Sequence, residues 1–356
     1  MTEKPATVSP LLSLDGLRRM QLTLTRRAVN RDPRNIHAVG FAPAGGRPQE
    51  RSQPGEATQD SCLPLTAQFD VVSKQREVVA QRIAPRETVR LLDRRRQHYL
   101  RLELPTTVRL SGPIIPTGVR VDADSGRATT SVIVRWTTTR PVPSILLADP
   151  EDPRWRWGLL TVAHLFAGKV GTSAARVQRQ AACGDGPRDI AGRLVARGRI
   201  PGGPDIGLLE TGLERLWLSG FLPRLELPSL ALAGEPELVR WISSGTHGKM
   251  FASGAQLPWR WNAYYPQLSI AGLGRLSEII CYEFSPASSE LAARSNAPFG
   301  PGNSGGVLVA GGIPIGLQVA AMRPEFRVGY AQAFHTSLAW LKKRLRASAI
   351  DIANVL

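Results

Sequence analysis

The chain has 356 residues, 42% of them hydrophobic and 21% charged, which is the balance of a folded globular protein and excludes disorder throughout. At roughly 100 to 200 residues per domain, that length predicts about two domains, each able to bury a core. The 45 Lys and Arg against 29 Asp and Glu leave a net charge of +16, which brings in polyanions such as nucleic acid as candidate ligands, although the excess is mostly arginine spread along the chain.

Residues 1–35 read as an N-terminal arm, with Leu11, Leu14, Leu17, Leu22 and Leu24 predicting a peripheral helix or a loose extension. Arg18, Arg19, Arg26 and Arg27 flank an apolar face too small for a membrane-surface helix. Asn35 to Phe41 predicts a buried strand, and Ala42 to Asp60, rich in Gly, Pro, Gln and Glu, a long exposed loop. Leu65 to Lys74 reads as a second strand and Glu87 to Arg96 as a helix. Tyr99 to Leu110 reads as a strand with Leu100, Leu102 and Leu104 on one face. These pieces form a small α+β unit over 36–117, ending in the Gly/Pro junction Ser111 to Gly118.

After that junction come many short apolar runs separated by turn residues. They are Ser131 to Thr139, Ser144 to Ala148, Gly158 to Ala163, Asp205 to Glu210, Leu238 to Ser243, Leu276 to Phe284, Gly306 to Val309 and Ile313 to Ala321. Such spacing predicts an all-β barrel or sandwich over 118–356. The chain then ends in a helix, with Leu338, Leu341, Leu345, Ala349, Ile352 and Leu356 recurring every three or four residues and Thr336 or Ser337 as N-cap.

Three cysteines, Cys62, Cys183 and Cys281, make no disulfide framework and no zinc-type cluster, so a reducing compartment is expected. With no secretory signal pattern in residues 1–27 and no run of about 18 apolar residues, the expectation is a cytoplasmic protein without a membrane span. His37, His98, His247 and His335 share no ligand-like spacing, and no metal or cofactor is called for. Cys281, flanked by apolar residues, reads as a core thiol. Trp155, Trp157, Trp259 and Trp261, with Arg156 and Arg260 between them, read as strand-borne core residues more than as a base-stacking platform. Arg94 to Arg96 reads as a solvated face.

Three motifs carry chemistry. An apolar strand ends in a histidine in Leu159-Leu160-Thr161-Val162-Ala163-His164. An aspartate opens the apolar run Asp205-Ile206-Gly207-Leu208-Leu209, and a serine sits in the glycine-rich turn Gly302-Asn303-Ser304-Gly305-Gly306. Each alone is commonplace, but together they meet one chemical requirement. A serine hydroxyl needs a base with a pKa near neutrality, and that imidazole needs a carboxylate to fix its tautomer and stabilise its cation. Gly302 supplies a turn that, with the N–H of Ser304, can aim backbone donors at one oxyanion, while Gly305 and Gly306 leave room for an acyl group. A phosphate-cradling loop fits less well, because the Lys-Ser/Thr ending is absent and a strand follows.

The order His, Asp, Ser, the strings LLTVAH, DIGLL and GNSGG, and the late run GIPIGLQVA resemble the trypsin/chymotrypsin-like serine peptidases over about Val119 to Leu356. The family implies a mainly β, chymotrypsin-like double β-barrel with a C-terminal α-helix. It gives His164 as general base, Asp205 as orienting carboxylate and Ser304 as nucleophile. By the same resemblance Gly302, Asn303 and Ser304 form the oxyanion-hole turn, with Gly302 and Ser304 expected to supply its amides. The intervals of 41 and 99 residues suit His and Asp in the first barrel and Ser in the second. Leu165 stands where secreted animal enzymes have a disulfide cysteine, and Asn303 where they have aspartate, which brings the chain nearer the bacterial GNSGG and high-temperature-requirement type. The 52 residues after Ser304 leave no room for a PDZ domain. Pro298 falls where enzymes cutting after Lys or Arg carry aspartate, and Gln318, Val319 and Ala320 form a pocket wall, which implies small or medium apolar specificity.

The function expected is therefore a serine endopeptidase acting on protein or peptide substrates, with residues 1–117 as the place where a protein regulator would dock. The competing readings are a catalytically silent binding or scaffold protein on the same fold, and a polyanion-binding protein using the +16 charge.

Overall fold

The structure, a computed structural model, describes residues 13–31, 35–44, 65–71, 83–93, 98–112, 114–116, 132–142, 152–166, 170, 174–179, 188–212, 233–252, 255–285, 298–300 and 303–355. In chain order the elements are α1 (Leu14–Arg31), β1 (Ile36–Pro43), β2 (Leu65–Val71), β3 (Arg86–Asp93), β4 (His98–Leu110), β5 (Ile114–Pro116), β6 (Val132–Thr137) and β7 (Arg156–Thr161). There follow β8 (Ala174–Arg179), β9 (Arg188–Arg197), β10 (Gly207–Thr211), α2 (Glu235–Ser244), β11 (His247–Ala252), β12 (Ala255–Ile270) and β13 (Gly274–Phe284). The last are β14 (Val307–Ala310), β15 (Ile313–Met322), β16 (Val328–Ala333), α3 (Phe334–Leu345) and β17 (Ala349–Val355). The mainly β class expected from the sequence holds, with three α-helices and two sheets among the described residues.

The chain divides into two compact units. One is assembled from residues 1–112, 234–246 and 261–268, the other from 113–233, 247–260 and 269–356. In the first, β12, β1, β2, β4 and β3 lie side by side, with β2 and β4 parallel and the other pairs antiparallel where a register is defined. The N-terminal arm contributes α1, not a loose extension. Leu14, Leu17, Met20, Leu24 and Ala28, three or four residues apart, are all buried, and the Ser13 hydroxyl accepts the N–H of Gly16 as an N-cap.

The helix expected over Glu87–Arg96 is instead strand β3. Glu87, Val89 and Leu91 turn inward while Arg86 and Arg90 face out, a period of two that β4 satisfies from Arg86↔Pro105 to Asp93↔His98. The strand expected over Leu238–Ser243 is instead the core of α2. Leu238, Val239, Trp241 and Ile242 are buried at helical spacing, Glu237 accepts the N–H of Gly234 at 2.9 Å, and Pro236 sits in the first turn, where its missing N–H costs nothing.

In the second unit, β11 pairs with both β14 and β12, so the order β11-β14-β15-β16-β13-β12 returns on itself as a closed antiparallel barrel. By register and contact Met250, Trp259, Ile280 and Tyr282 share one face of it and Val307, Leu317 and Tyr330 the other, and all are essentially buried. The other sheet runs β17-β6-β7-β10-β9-β8 and is antiparallel at every pairing.

The terminal helix is shorter than expected. It starts at Phe334 with Ala333 as N-cap, so neither Thr336 nor Ser337 caps it, and it stops at Leu345, where Arg346 turns left-handed at φ 52°. Ala349 to Val355, expected to continue the helix, leaves as β17 and pairs with β6 from Ala349↔Thr137 to Val355↔Val132. Ile350, Ile352 and Val355 are β-branched and join a strand at little cost once an edge is offered. Trp155, Trp157, Trp259 and Trp261 are buried while Arg156 and Arg260 are exposed, and Cys281 lies in the core. Ser144–Ala148, Arg94–Arg96, Cys62 and Cys183 lie outside the described residues. Among those described, no helix is long and apolar enough to cross a membrane.

Candidate active site

Antiparallel pairing of β7 with β10 puts Thr161 opposite Gly207, so the chain leaving β7 and the chain entering β10 meet at one end of the sheet. Residues 163–165 make a single 3₁₀ turn there, which places His164 beside Asp205. Two glycines make this crossing possible. A Cβ on Gly207 would stand 2.9 Å from the Phe166 ring, and one on Gly198 would stand 1.7 Å from the Pro204 carbonyl oxygen, just ahead of Asp205.

The carboxylate of Asp205 is fully buried and binds His164 twice. The His164 N–H donates to Oδ1 at 2.9 Å, and Nδ1 lies 2.5 Å from Oδ2. An ionised carboxylate only accepts, so Nδ1 carries the ring proton and Nε2 keeps its lone pair. Nε2 is buried and has no hydrogen-bond partner among the described residues. The backbone N–H of Asp205 in turn donates to Oε1 of Gln332 on β16 at 2.9 Å, and Nε2 of Gln332 donates to the Ser277 carbonyl at 3.2 Å. Gln332 was not among the sequence candidates, since it belongs to no motif and reaches Asp205 only through the tertiary fold.

Ser304 is buried at 1% exposure in the turn that opens β14. The turn is tied to β15 at both glycines that follow the serine. The Gly305 N–H donates to the Gln318 carbonyl at 3.0 Å, and the Gln318 N–H to the Gly306 carbonyl at 2.8 Å. Gly305 sits at φ 87°, a conformation that a side chain would strain. The Asn303 N–H donates to the Gly300 carbonyl at 3.3 Å and its side-chain amide to the Pro298 carbonyl at 2.8 Å. Asn303 thus braces its own turn with both donors. Gly302 lies outside the described residues.

Pro298, Gln318, Val319 and Ala320 are all buried, and the side-chain amide of Gln318 donates to the Ala320 carbonyl at 3.0 Å across a break in the β15–β16 register. Next to Pro298, Phe299 is fully buried with its ring 4.8 Å from that of Tyr282 and 6.3 Å from that of Phe284, both edge-on. The Tyr282 hydroxyl donates to the Met250 sulfur at 3.2 Å, and burial pushes the phenol well above its ordinary range, so it stays neutral.

Two further histidines make contacts of their own. His37 is in the other unit, 3.0 Å from the Ser111 hydroxyl through Nε2, and the His335 ring contacts the Thr336 hydroxyl at 3.1 Å. Among the described residues, no group of three or more His, Cys, Asp or Glu could hold a metal ion.

The sequence matches no family model and no curated protein. Solved structures similar to this chain include bacterial chymotrypsin-like serine proteases. The Cellulomonas bogoriensis chymotrypsin is 16% identical over 56% of this chain and 86% of its own, with a TM-score of 0.32. Protease A of Thermobifida fusca is 13% identical over 66% and 100%, with a TM-score of 0.36, and the Nocardiopsis protease is 14% identical over 66% and 100%, with a TM-score of 0.35.

Proposed function

We propose that the protein is a serine endopeptidase that cleaves peptide bonds of protein substrates through an acyl-enzyme on Ser304. The observation carrying this reading is the His164–Asp205 pair. A buried carboxylate accepts from both the backbone and the ring of one histidine, whose opposite nitrogen is left buried with a lone pair and no partner among the described residues. A histidine kept only for structure would be expected to use both ring nitrogens.

In the proposed reaction, Oγ of Ser304 attacks the scissile carbonyl carbon while His164 Nε2 takes the hydroxyl proton. Asp205 stabilises the imidazolium without itself becoming protonated. The amides of Gly302 and Ser304 receive the oxyanion. As the carbon–nitrogen bond breaks, His164 returns the proton to the leaving amine, and water, deprotonated by the same nitrogen, then releases the acyl group. The pocket assigned to Pro298, Gln318, Val319 and Ala320 carries no charged side chain and is backed by the Phe299–Tyr282 cluster, which favours small or medium apolar residues before the scissile bond. A cleavage profile from a peptide library dominated by Arg or Lys would contradict that specificity.

The test of the chemistry is covalent labelling by a fluorophosphonate, which requires an activated serine and no knowledge of the substrate. The full-length protein is expected to be labelled at Ser304. Ser304→Ala and His164→Ala are expected to fold normally and lose labelling, since the hydroxyl and imidazole act as one unit worth about 10⁶-fold. Labelling of the Ser304→Ala protein at another serine would overturn the assignment.

A further inference from the structure

The geometry points to Gln332 as a positioning residue that holds Asp205, and through it His164, in the arrangement that chemistry at Ser304 requires. This rests on the peptidase reading above and adds to it a residue that the triad motifs do not contain. Asp205 occupies the last irregular stretch before β10, where no strand partner is available for its backbone N–H. The residue is fully buried, so water cannot serve that N–H either, and an unmade bond there carries the full cost of desolvation. Gln332, itself 2% exposed, supplies the acceptor at 2.9 Å from near the end of β16.

The orientation of the Gln332 amide is set from its other end. Its NH₂ group donates to the Ser277 carbonyl on β13, so the oxygen can only face Asp205. Gln332 is fixed to the barrel through its backbone, opposite Ile279 on β13 and Leu317 on β15. Leu317 directly precedes Gln318, whose backbone ties down the glycines after Ser304. The rigid barrel that carries the serine turn therefore also grips the aspartate of the other sheet. A misplacement of about 1 Å between such groups costs roughly 10²-fold in rate, so one side-chain acceptor at this point has a large effect on the chemistry while touching neither substrate nor nucleophile.

The test uses the full-length protein with Gln332→Met and Gln332→Glu. The downfield proton resonance of His164 Nδ1–H reports the pair directly, with fluorophosphonate labelling against pH as a second readout. In Gln332→Met, Asp205 loses its anchor. The resonance is expected to broaden, the pH midpoint to fall because the carboxylate stabilises the imidazolium less well, and labelling to slow by about 10- to 100-fold with the thermal midpoint still well above the assay temperature. In Gln332→Glu the buried carboxyl faces the Ser277 carbonyl and is expected to stay protonated, accepting the Asp205 N–H and donating to that carbonyl in place of the amide, so labelling is expected to recover toward the wild-type rate. Loss in Gln332→Met with rescue by the isosteric Gln332→Glu, the pH midpoint moving only in the former, would not follow from a merely structural role. A resonance and midpoint unchanged in Gln332→Met would overturn the proposal. Perturbed resonances in a wild-type protein that is never labelled would instead leave the positioning role standing and overturn the peptidase reading.

Discussion

Asp205 shows how much one residue can decide. Its two oxygens divide their work, one on the His164 backbone and one on the ring, so removing a single negative charge should separate folding from function. In Asp205→Asn the amide oxygen can still accept the backbone N–H. The NH₂ group then faces Nδ1, which must become the acceptor, and the ring proton moves to Nε2, where the base is needed. The variant is expected to keep a wild-type circular dichroism spectrum while the rate of fluorophosphonate labelling falls by about 10⁴-fold. The motifs that bring His164 to Asp205 and set Ser304 in its glycine turn were legible in the sequence, because the flanking glycines and apolar runs mark their places. Gln332 was not legible, because a glutamine in an alternating strand carries no local signature of the N–H it accepts.

Among the elements, β17 best shows what pairing adds to propensity. The heptad-like leucines of α3 run on into Ala349 and Ile352, yet the chain turns at Arg346 and adds an edge strand to β6. That strand brings Asp351 within 3.8 Å of the almost fully buried Arg135, whose guanidinium also lies over the rings of Trp155 at 5.3 Å and Trp157 at 5.9 Å. Burial lowers the Arg135 pKa and raises that of Asp351, in each case against the attraction of the partner, with Lys342 also opposing the shift at Asp351. Both shifts run against the charged forms, so desolvation outweighs attraction in this pair.

For Asp351, a carboxyl whose folded-state pKa is raised, the sign is destabilising. Its cost is absent while it is protonated and appears as pH rises through the raised value. Replacing both partners, Arg135→Met with Asp351→Leu, is therefore expected to leave the urea midpoint unchanged or raise it, by up to about 4 kcal/mol in stability. Asp351→Asn, the neutral counterpart of the protonated carboxyl, is by the same reasoning expected to hold or slightly raise the urea midpoint at neutral pH.

At the scale of the whole molecule, long-range pairing decides which parts of the chain fold together. Asp70 on β2 is completely buried and receives two bonds of 2.9 Å from Arg109 on β4, together with one of 2.5 Å from the Tyr265 hydroxyl on β12. Gln68 adds a bond to the same hydroxyl at 2.8 Å, and Arg109 reaches the Asn262 side chain at 2.8 Å. Asp70 and four partners on three strands thus form one network around a buried charge, and nearly 200 positions separate its ends. Arg109→Met would leave Asp70 without its counter-ion and is expected to cost about 3–5 kcal/mol in urea unfolding. A fragment beginning at Ser111 keeps Asn262 and Tyr265 but loses Gln68, Asp70 and Arg109, and it also strips α2 of the helix whose first N–H its Glu235 accepts at 2.8 Å. That fragment is expected to be insoluble, and limited proteolysis of the full chain should not release a stable core starting near that point.

The sequence by itself determined the mainly β class, the positions of β1, β2, β4, β6, β7, β10, β13, β14 and β15 to within a few residues, and the motifs around His164, Asp205 and Ser304. These features are local: strand periodicity, turn residues and chemically constrained motifs repeat over a few positions and need no distant partner. Tertiary structure decided the rest. It made β3 and β17 strands because β4 and β6 offered edges, and it made α2 a helix because its apolar residues had a core to fill at helical spacing. Tertiary structure also drew residues 234–246 and 261–268 into one unit with 1–112, and it brought the Gln332 amide to the Asp205 N–H across 127 positions. A hydrogen bond or a buried charge is satisfied by whichever group the fold delivers to it, and nothing in the local sequence of either partner records which group that will be.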